Sequence, residues 1–324
     1  MLKIFVVHLV ALNLLFIICN CVAQQKLSNP IIDRDFADPS VIRFGDKYYA
    51  YATNSKLNDT LLHIQLAVSD DMRTWECHRD ALPAGALWAK SSYWAPHVVY
   101  DDVLKLFVMY YSAQSNIDTL DKCIGVAFSK NPEGPFIDKG SPLISGKGFV
   151  NIDPFAFIDQ KSGKKLLYWG SGHKPIKVQE LNDDWSGFKP GTSPKPVLFP
   201  RKDEPYAGLV EGAWIDFNNG YYYLYYSGDN CCGTYPNYAV MVARSKTALG
   251  PFERLGDING THNSVILQKK GKWLAPGHNA IFRDKKGYAY IAYHAINKES
   301  KNLKSRLLLI SKIVYKNGWP VVSY

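Results

Sequence analysis

Five times along the chain a short polar opening runs into an apolar stretch. These are Asp38-Pro39-Ser40-Val41-Ile42, Ala95-Pro96-His97-Val98-Val99, Asp153-Pro154-Phe155-Ala156-Phe157, Glu211-Gly212-Ala213-Trp214-Ile215 and His278-Asn279-Ala280-Ile281-Phe282. Their first residues are spaced by 57, 58, 58 and 67 positions. Behind each opening comes a turn, at Gly45-Asp46, Asp101-Asp102, Ser162-Gly163, Asn219-Gly220 and Lys286-Gly287. Gly and Asn tolerate the positive φ of hairpin turns, so each turn predicts an antiparallel pair. The partner strands are aromatic: Tyr48–Tyr51, Leu106–Tyr111, Leu166–Trp169, Tyr221–Tyr226 and Tyr288–Tyr293.

A third strand is predicted at Ile64–Ser69, Ile124–Ser129 and Ala239–Ser245, with a looser one at Ile176–Leu181. Outer edges are expected around Thr74–Glu76, Gly134–Phe136, Trp185–Phe188 and Gly250–Glu253. Four strands per repeat and five repeats predict an all-β, five-bladed β-propeller. A β-sandwich would not produce so even a recurrence. No long amphipathic helix or linker interrupts the pattern, so one catalytic domain is expected over residues 24–324.

The start of the chain breaks this rhythm. Lys3, an apolar run from Ile4 to Ile18 and the small-residue end Cys21-Val22-Ala23 read as a signal peptide, residues 1–23, cut before Gln24. A membrane anchor fits less well, because the run is short and broken by His8 and Asn13. A lipoprotein reading through Cys19 ranks second, since Phe16 and Ile18 suit a lipidation site poorly. The mature chain is thus expected to be secreted or periplasmic, with no membrane span.

Composition narrows the chemistry. The net charge of +9 comes from Lys residues spread along the chain, without a basic run, so nucleic acid is not an expected partner. The 21 Tyr and 8 Trp offer rings that often line oligo- or polysaccharide sites, and such rings are equally common in strands. Cys77, Cys123, Cys231 and Cys232 lie outside the signal. Adjacent Cys231 and Cys232 are not expected to pair easily, and no Cys/His spacing suggests structural zinc.

The openings carry the catalytic candidates. Inner strands line a propeller's channel, so Asp38, Asp153 and Glu211, at the openings of blades one, three and four, converge on one end of the axis. A lone Asp-Pro is a common strand-start turn. Three converging carboxylates would repel unless their pKa values separate, which is how hydrolases divide acid and base roles. Glycoside hydrolysis with inversion needs such a pair on opposite sides of the sugar, with room for water.

The stretches Ala37-Asp38-Pro39-Ser40-Val41-Ile42, Tyr93-Trp94-Ala95-Pro96, Asn151-Ile152-Asp153-Pro154, Val210-Glu211-Gly212 and Ala275-Pro276-Gly277-His278-Asn279 resemble glycoside hydrolase family 43. The match is collinear from about residue 29 to the C-terminus. The resemblance implies an inverting five-bladed enzyme, with Asp38 as general base, Glu211 as general acid, and Asp153 raising the acid's pKa and orienting it. It also implies a metal, usually calcium, near His278 in the central channel, with water completing its shell and no part in the chemistry. Arg306 is similar to a late arginine that contacts sugar or the Asp153 equivalent. Trp94 and Phe155 border their openings and are candidates to stack on sugar.

Cys231-Cys232-Gly233 followed by Tyr238–Ser245 is similar to arabinanases and α-L-arabinofuranosidases, and favours arabinose over xylose. His97 and Ala213 depart from the family's usual residues beside the openings. The expected activity is hydrolysis of α-L-arabinofuranosyl linkages. A β-xylosidase is the enzymatic alternative, and a non-catalytic sugar-binding propeller the other.

Overall fold

A computed structural model describes residues 27–323 of the chain. The signal segment predicted at residues 1–23 lies outside them. Five antiparallel sheets follow one another along the sequence. The first comprises β1 (Ser40–Phe44), β2 (Lys47–Ala52), β5 (Gln65–Ser69) and β6 (Glu76–Asp80), with a side hairpin of β3 (Ser55–Leu57) and β4 (Thr60–Leu62). The second runs from β7 (Ala89–Asp101) through β8 (Leu106–Ser115) and β9 (Lys122–Ser129) to β10 (Ile137–Asp138). The third contains β11 (Phe155–Ile158), β12 (Lys165–Trp169), β13 (Ile176–Glu180) and β14 (Lys195–Leu198).

The fourth holds β15 (Val210–Asn218), β16 (Tyr221–Gly228), β17 (Ala239–Ser245) and β18 (Glu253–Arg254). A one-turn helix α1 (Leu255–Ile258) then leads to β19 (Val265–Leu267), which also pairs with β17. The fifth is β20 (Trp273–Arg283), β21 (Ala289–Asn297), β22 (Leu307–Lys316) and β23 (Trp319–Ser323). This is a five-bladed β-propeller. Among the described residues no helix is long and apolar enough to cross a membrane.

Outer strands differ most from the sequence expectation. In blade three the edge is β14, not Trp185–Phe188. Trp185 is instead fully buried and donates its indole N–H to Asp101 Oδ2 of blade two at 2.8 Å. Lys165 Nζ reaches the same carboxylate oxygen at 2.6 Å. Burial opposes ionisation of Asp101, but these donors hold its pKa down at about 2.

Second strands are buried on both faces because a neighbouring blade covers each side. That explains β2 (Lys-Tyr-Tyr-Ala-Tyr-Ala) and β16 (Tyr-Tyr-Tyr-Leu-Tyr-Tyr-Ser-Gly), whose interiors lack polar alternation. Their hydroxyls must still find partners. Tyr51 donates to Pro132 O at 2.5 Å, Tyr110 to Trp185 O at 2.7 Å, Tyr168 to Ala248 O and Tyr223 to Gly318 O at 2.7 Å. Each bond links one blade to the next. These tyrosines therefore tie blades together.

The junction of blades five and one is closed by the N-terminal segment. Asn29 Nδ2 donates to Ile310 O at 3.0 Å, and Ile310 N donates to Asn29 Oδ1 at 2.9 Å. Ile31 N and Phe36 N donate to Leu308 O and Arg306 O, both at 2.8 Å. This pairing seats the residues just before β1 against the start of β22.

Candidate active site

Five residues at the blade openings share a left-handed backbone: Asp38 (φ 54), Ala95 (φ 45), Asp153 (φ 60), Gly212 (φ 60) and His278 (φ 49). Four of them carry a Cβ, and each such residue costs on the order of 1–3 kcal/mol unless its surroundings enforce it. In blade four the equivalent position is Gly212. A Cβ there would stand 3.3 Å from His278 Nδ1. Glu211 therefore precedes the equivalent position by one residue, whereas Asp38 and Asp153 occupy it.

The enforcement comes from a second ring, at the ends of the second strands. Asp38 N donates to His294 Nδ1 at 3.1 Å, and Ala95 N to Thr53 Oγ1 at 3.0 Å. Asp153 N donates to Ser112 Oγ at 3.0 Å, and His278 N to Ser227 Oγ at 2.8 Å. Blade three breaks the rule. Ser171, its hydroxyl at this position, donates instead to Glu211 Oε2 at 2.6 Å, and Gly212 N donates to Asp153 Oδ2 at 3.2 Å.

Around Asp38 the structure gathers residues from four stretches of chain. Arg306 Nη1 donates to Oδ1 at 2.9 Å and Thr53 Oγ1 to Oδ2 at 2.5 Å. His294 Nδ1 and His278 Nδ1 lie 3.2 and 3.6 Å from Oδ1. Burial by itself would raise the Asp38 pKa. The Arg306 guanidinium, then His278 and His294, override it and hold the carboxyl well below the usual range. Asp153 experiences the reverse. Burial, then the charges of Glu211 and Asp38, push its pKa well above the ordinary value, and the Gly212 N–H only partly offsets them. Both imidazoles are buried, which lowers their pKa values, His294 to about 4.

Glu211 is gripped at both oxygens, by Ser171 and by Tyr238, whose hydroxyl donates to Oε1 at 2.6 Å. His278 Nδ1 lies 3.9 Å from Asp153 Oδ2 and so stands between two of the carboxylates. The structure thus brings Asp38, Asp153, Glu211, His278 and Arg306 to one end of the channel.

Trp94 is half-buried beside its opening. It stacks on the exposed Phe149 at 6.3 Å with a 12° interplanar angle, and Lys122 Nζ lies 3.6 Å from its ring centroid. Phe155 departs from the sequence expectation of sugar stacking. It is 4% exposed and packs against His97 at 4.5 Å and Trp214 at 4.7 Å, filling the channel below the carboxylates. The two departures noted at His97 and Ala213 line this same channel. His97 is buried, its pKa lowered to about 3, and its Nδ1 accepts from Ala156 N at 3.1 Å.

A cavity of ≈ 10 Å³ beneath the site is lined by residues including Ser40, Asp153, His278 and Asn279. That is room for one water-sized sphere. Ser40 Oγ and Asn279 Oδ1 are buried there without a protein partner. A hydroxyl, an amide oxygen and a carboxylate suit a hard cation such as calcium. Among the described residues no three His, Cys, Asp or Glu side chains are placed to hold a metal by themselves. Any ion would depend on these oxygens together.

Thr53, Ser171, Tyr238 and His294 were missed in sequence. The first, second and fourth had a signal: a Thr, Ser or His follows the aromatic strand in every repeat, with Ser112 and Ser227 completing the set. Cys231 and Cys232, not expected to pair, are joined as a disulfide. Cys231 packs on the cluster formed by Tyr238, Ala275 and Ile296.

The sequence model for glycosyl hydrolases family 43 matches residues 27–320. The chain is 29% identical to a probable arabinan endo-1,5-alpha-L-arabinosidase A of Aspergillus flavus, over 88% of this chain and 90% of that one. It is 27% identical to an extracellular endo-alpha-(1->5)-L-arabinanase 1 of Bacillus subtilis, over 87% and 86% of the two chains. Among solved structures, an exo-1,5-alpha-L-arabinanase from a bovine ruminal metagenomic library superimposes with a TM-score of 0.73 at 29% identity, covering 90% of this chain and 97% of that one. The propeller, the carboxylates at its mouth and the match across nearly all described residues lead to one conclusion: the chain belongs to glycosyl hydrolases family 43 and is an O-glycosyl hydrolase.

Proposed function

We propose that this enzyme hydrolyses α-L-arabinofuranosyl linkages in arabinan, or in arabinose side chains of plant-type polysaccharides, with inversion. Asp38 is the general base that takes a proton from water. Glu211 is the general acid that protonates the leaving oxygen. Asp153 orients Glu211 through the Gly212 N–H that it accepts. Arg306 and Trp94 contact the sugar ring bound beside them, and His278 spaces the carboxylates.

The unequal state of the carboxylates carries this reading. The Arg306 guanidinium holds the Asp38 carboxyl well below the usual range, as a base needs, while burial and the charges of Glu211 and Asp38 push Asp153 well above it. Environments that push neighbouring acids apart are how hydrolases assign roles at one pH. The arabinose assignment is supported by the names of the relatives. Export is supported by the apolar N-terminal run and by the Bacillus relative's description as extracellular. A calcium ion in the channel, held by Ser40, Asn279, His278 and Asp153, would brace blades one, three and five. It would supply no step of the chemistry.

The test is a parallel assay on linear arabinan, an aryl α-L-arabinofuranoside and an aryl β-D-xyloside. Arabinose-containing substrates are expected to be cleaved fastest, with the initial product of inverted configuration. Asp38→Ala and Glu211→Ala are each expected to cost about 10²–10⁴-fold while melting as cooperatively as wild type. A preference for the xyloside overturns the sugar assignment, and full activity in either variant overturns the roles.

A further inference from the structure

We propose that Tyr238 is a positioning residue for the acid step: it pins one oxygen of Glu211 so that the other faces the leaving group. This deepens the proposed acid role of Glu211 and rests on it.

Three observations converge on Tyr238. Its hydroxyl donates to Glu211 Oε1 at 2.6 Å, while Ser171 donates to Oε2 at 2.6 Å. Its ring is 1% exposed and stacks on His294 at 5.7 Å with a 7° interplanar angle. On another side, a Cβ at Gly277 would stand 2.0 Å from Tyr238 Cδ1, so the ring has no space to turn away.

The two hydroxyls are not equivalent. A serine hydroxyl rotates and can donate or accept. The Tyr238 phenol is held protonated, because burial and then the charges of Glu211, Asp153 and Asp38 all raise its pKa. Its locked ring makes it a standing donor to Oε1. The transferable proton of Glu211 therefore sits on Oε2, whose remaining lone pair still receives the Ser171 hydroxyl. Ser171 is also the hydroxyl that blade three withdraws from the ring of backbone contacts.

In the reaction, the proton on Oε2 passes to the glycosidic oxygen as the C–O bond breaks, leaving Glu211 as carboxylate. The proton lost by the attacking water goes to Asp38. Tyr238 donates throughout and exchanges nothing. His294 joins the two halves of the site, since its ring supports Tyr238 while its Nδ1 accepts from Asp38 N at 3.1 Å.

Tyr238→Phe removes only the hydroxyl. On a series of aryl glycosides of whichever sugar the wild type cleaves, rates should become steeply dependent on leaving-group acidity. Substrates with good leaving groups should keep near-wild-type rates, and unactivated oligosaccharide should lose about 10-fold or more. Loss of a donor to the carboxylate favours the protonated acid, so the basic limb of the kcat/KM pH profile should move upward. The other charged or titratable groups facing this region are Asp38, Asp153, His278, His294 and Arg306, and all remain in the variant. Gly277→Ala, which crowds the ring, should reproduce the leaving-group signature. A uniform loss across the series, with an unmoved pH profile, would show a merely structural role and overturn the proposal. Wild-type leaving-group behaviour in Tyr238→Phe overturns it as well. If Glu211→Ala shows no leaving-group dependence, the acid assignment itself fails, which is a separate outcome.

Discussion

Arg306 and Asp38 are 268 residues apart in sequence, yet the guanidinium donates to the carboxylate across 2.9 Å. The contact exists because the N-terminal segment lies along β22 and draws the residues before β1 to the residue before that strand.

Arg306→Ala should leave Asp38 buried without its main counter-charge. Its pKa then rises, and the base is protonated over more of the acidic range. The acid limb of the kcat/KM profile should move to higher pH, with the greatest losses below neutrality. Breaking a buried pair of this kind costs about 3–5 kcal/mol where the remaining charge stays ionised. An unmoved acid limb would dissociate Asp38 from that limb.

Asp153 should make stability and activity diverge. Its folded pKa lies above its unfolded value, so its contribution to stability is fully present below the unfolded pKa and is lost as pH rises towards the folded one. Asp153→Asn abolishes this titration while keeping an acceptor for Gly212 N. The melting temperature of the variant relative to wild type should therefore climb as pH rises above about 4. Its kcat should fall. Parallel melting curves across that range would contradict the raised pKa.

Asn29→Ala removes both side-chain bonds to Ile310. A loss of about 1–3 kcal/mol is expected, chiefly from unsatisfied backbone groups. At about 2–4 °C per kcal/mol for a domain approaching this size, the shift is readable by calorimetry. Because the same closure seats Arg306, kcat/KM should fall further than thermal stability alone explains when assayed well below the melting point.

Chelation tests the channel ion. If calcium is held by Ser40 and Asn279, EDTA should lower the melting temperature and added calcium should restore it. Ligand at 100 times its Kd is worth about 2.7 kcal/mol. Specific activity of the still-folded enzyme should not change. Asn279→Leu should abolish the calcium response. Identical melting with and without calcium would assign the cavity to water.

Tyr110→Phe probes the inter-blade ties. It deletes the bond to Trp185 O and should cost about 0.5–1.5 kcal/mol of stability without altering kcat.

Blade number, inner-strand positions and the general location of Asp38, Asp153 and Glu211 were legible in the chain. They depend on local alternation, on turn chemistry and on a repeat that returns every 57–67 residues. Such features act within a few neighbouring residues, and so they survive being read in one dimension. The edge of blade three escaped this reading because Trp185 and Phe188 are apolar for contacts with blade two and the core, and Phe188 makes only an isolated bridge to Leu181.

What the tertiary structure decided is how the repeats stack. Asp38 and Asp153 share one left-handed position while Glu211 sits one residue before it, a difference that sequence spacing alone did not separate. Phe155 became channel packing because five inner strands leave little space at the axis. Tyr238 entered the site from the loop just before a third strand, since its partner Glu211 lies on the same blade but 27 residues away. Charge states followed from the same packing: one aspartate received an arginine at burial, and the other received two neighbouring carboxylates. Period and turn specify blades locally; only closure of the ring brings together groups whose mutual distances set their chemistry.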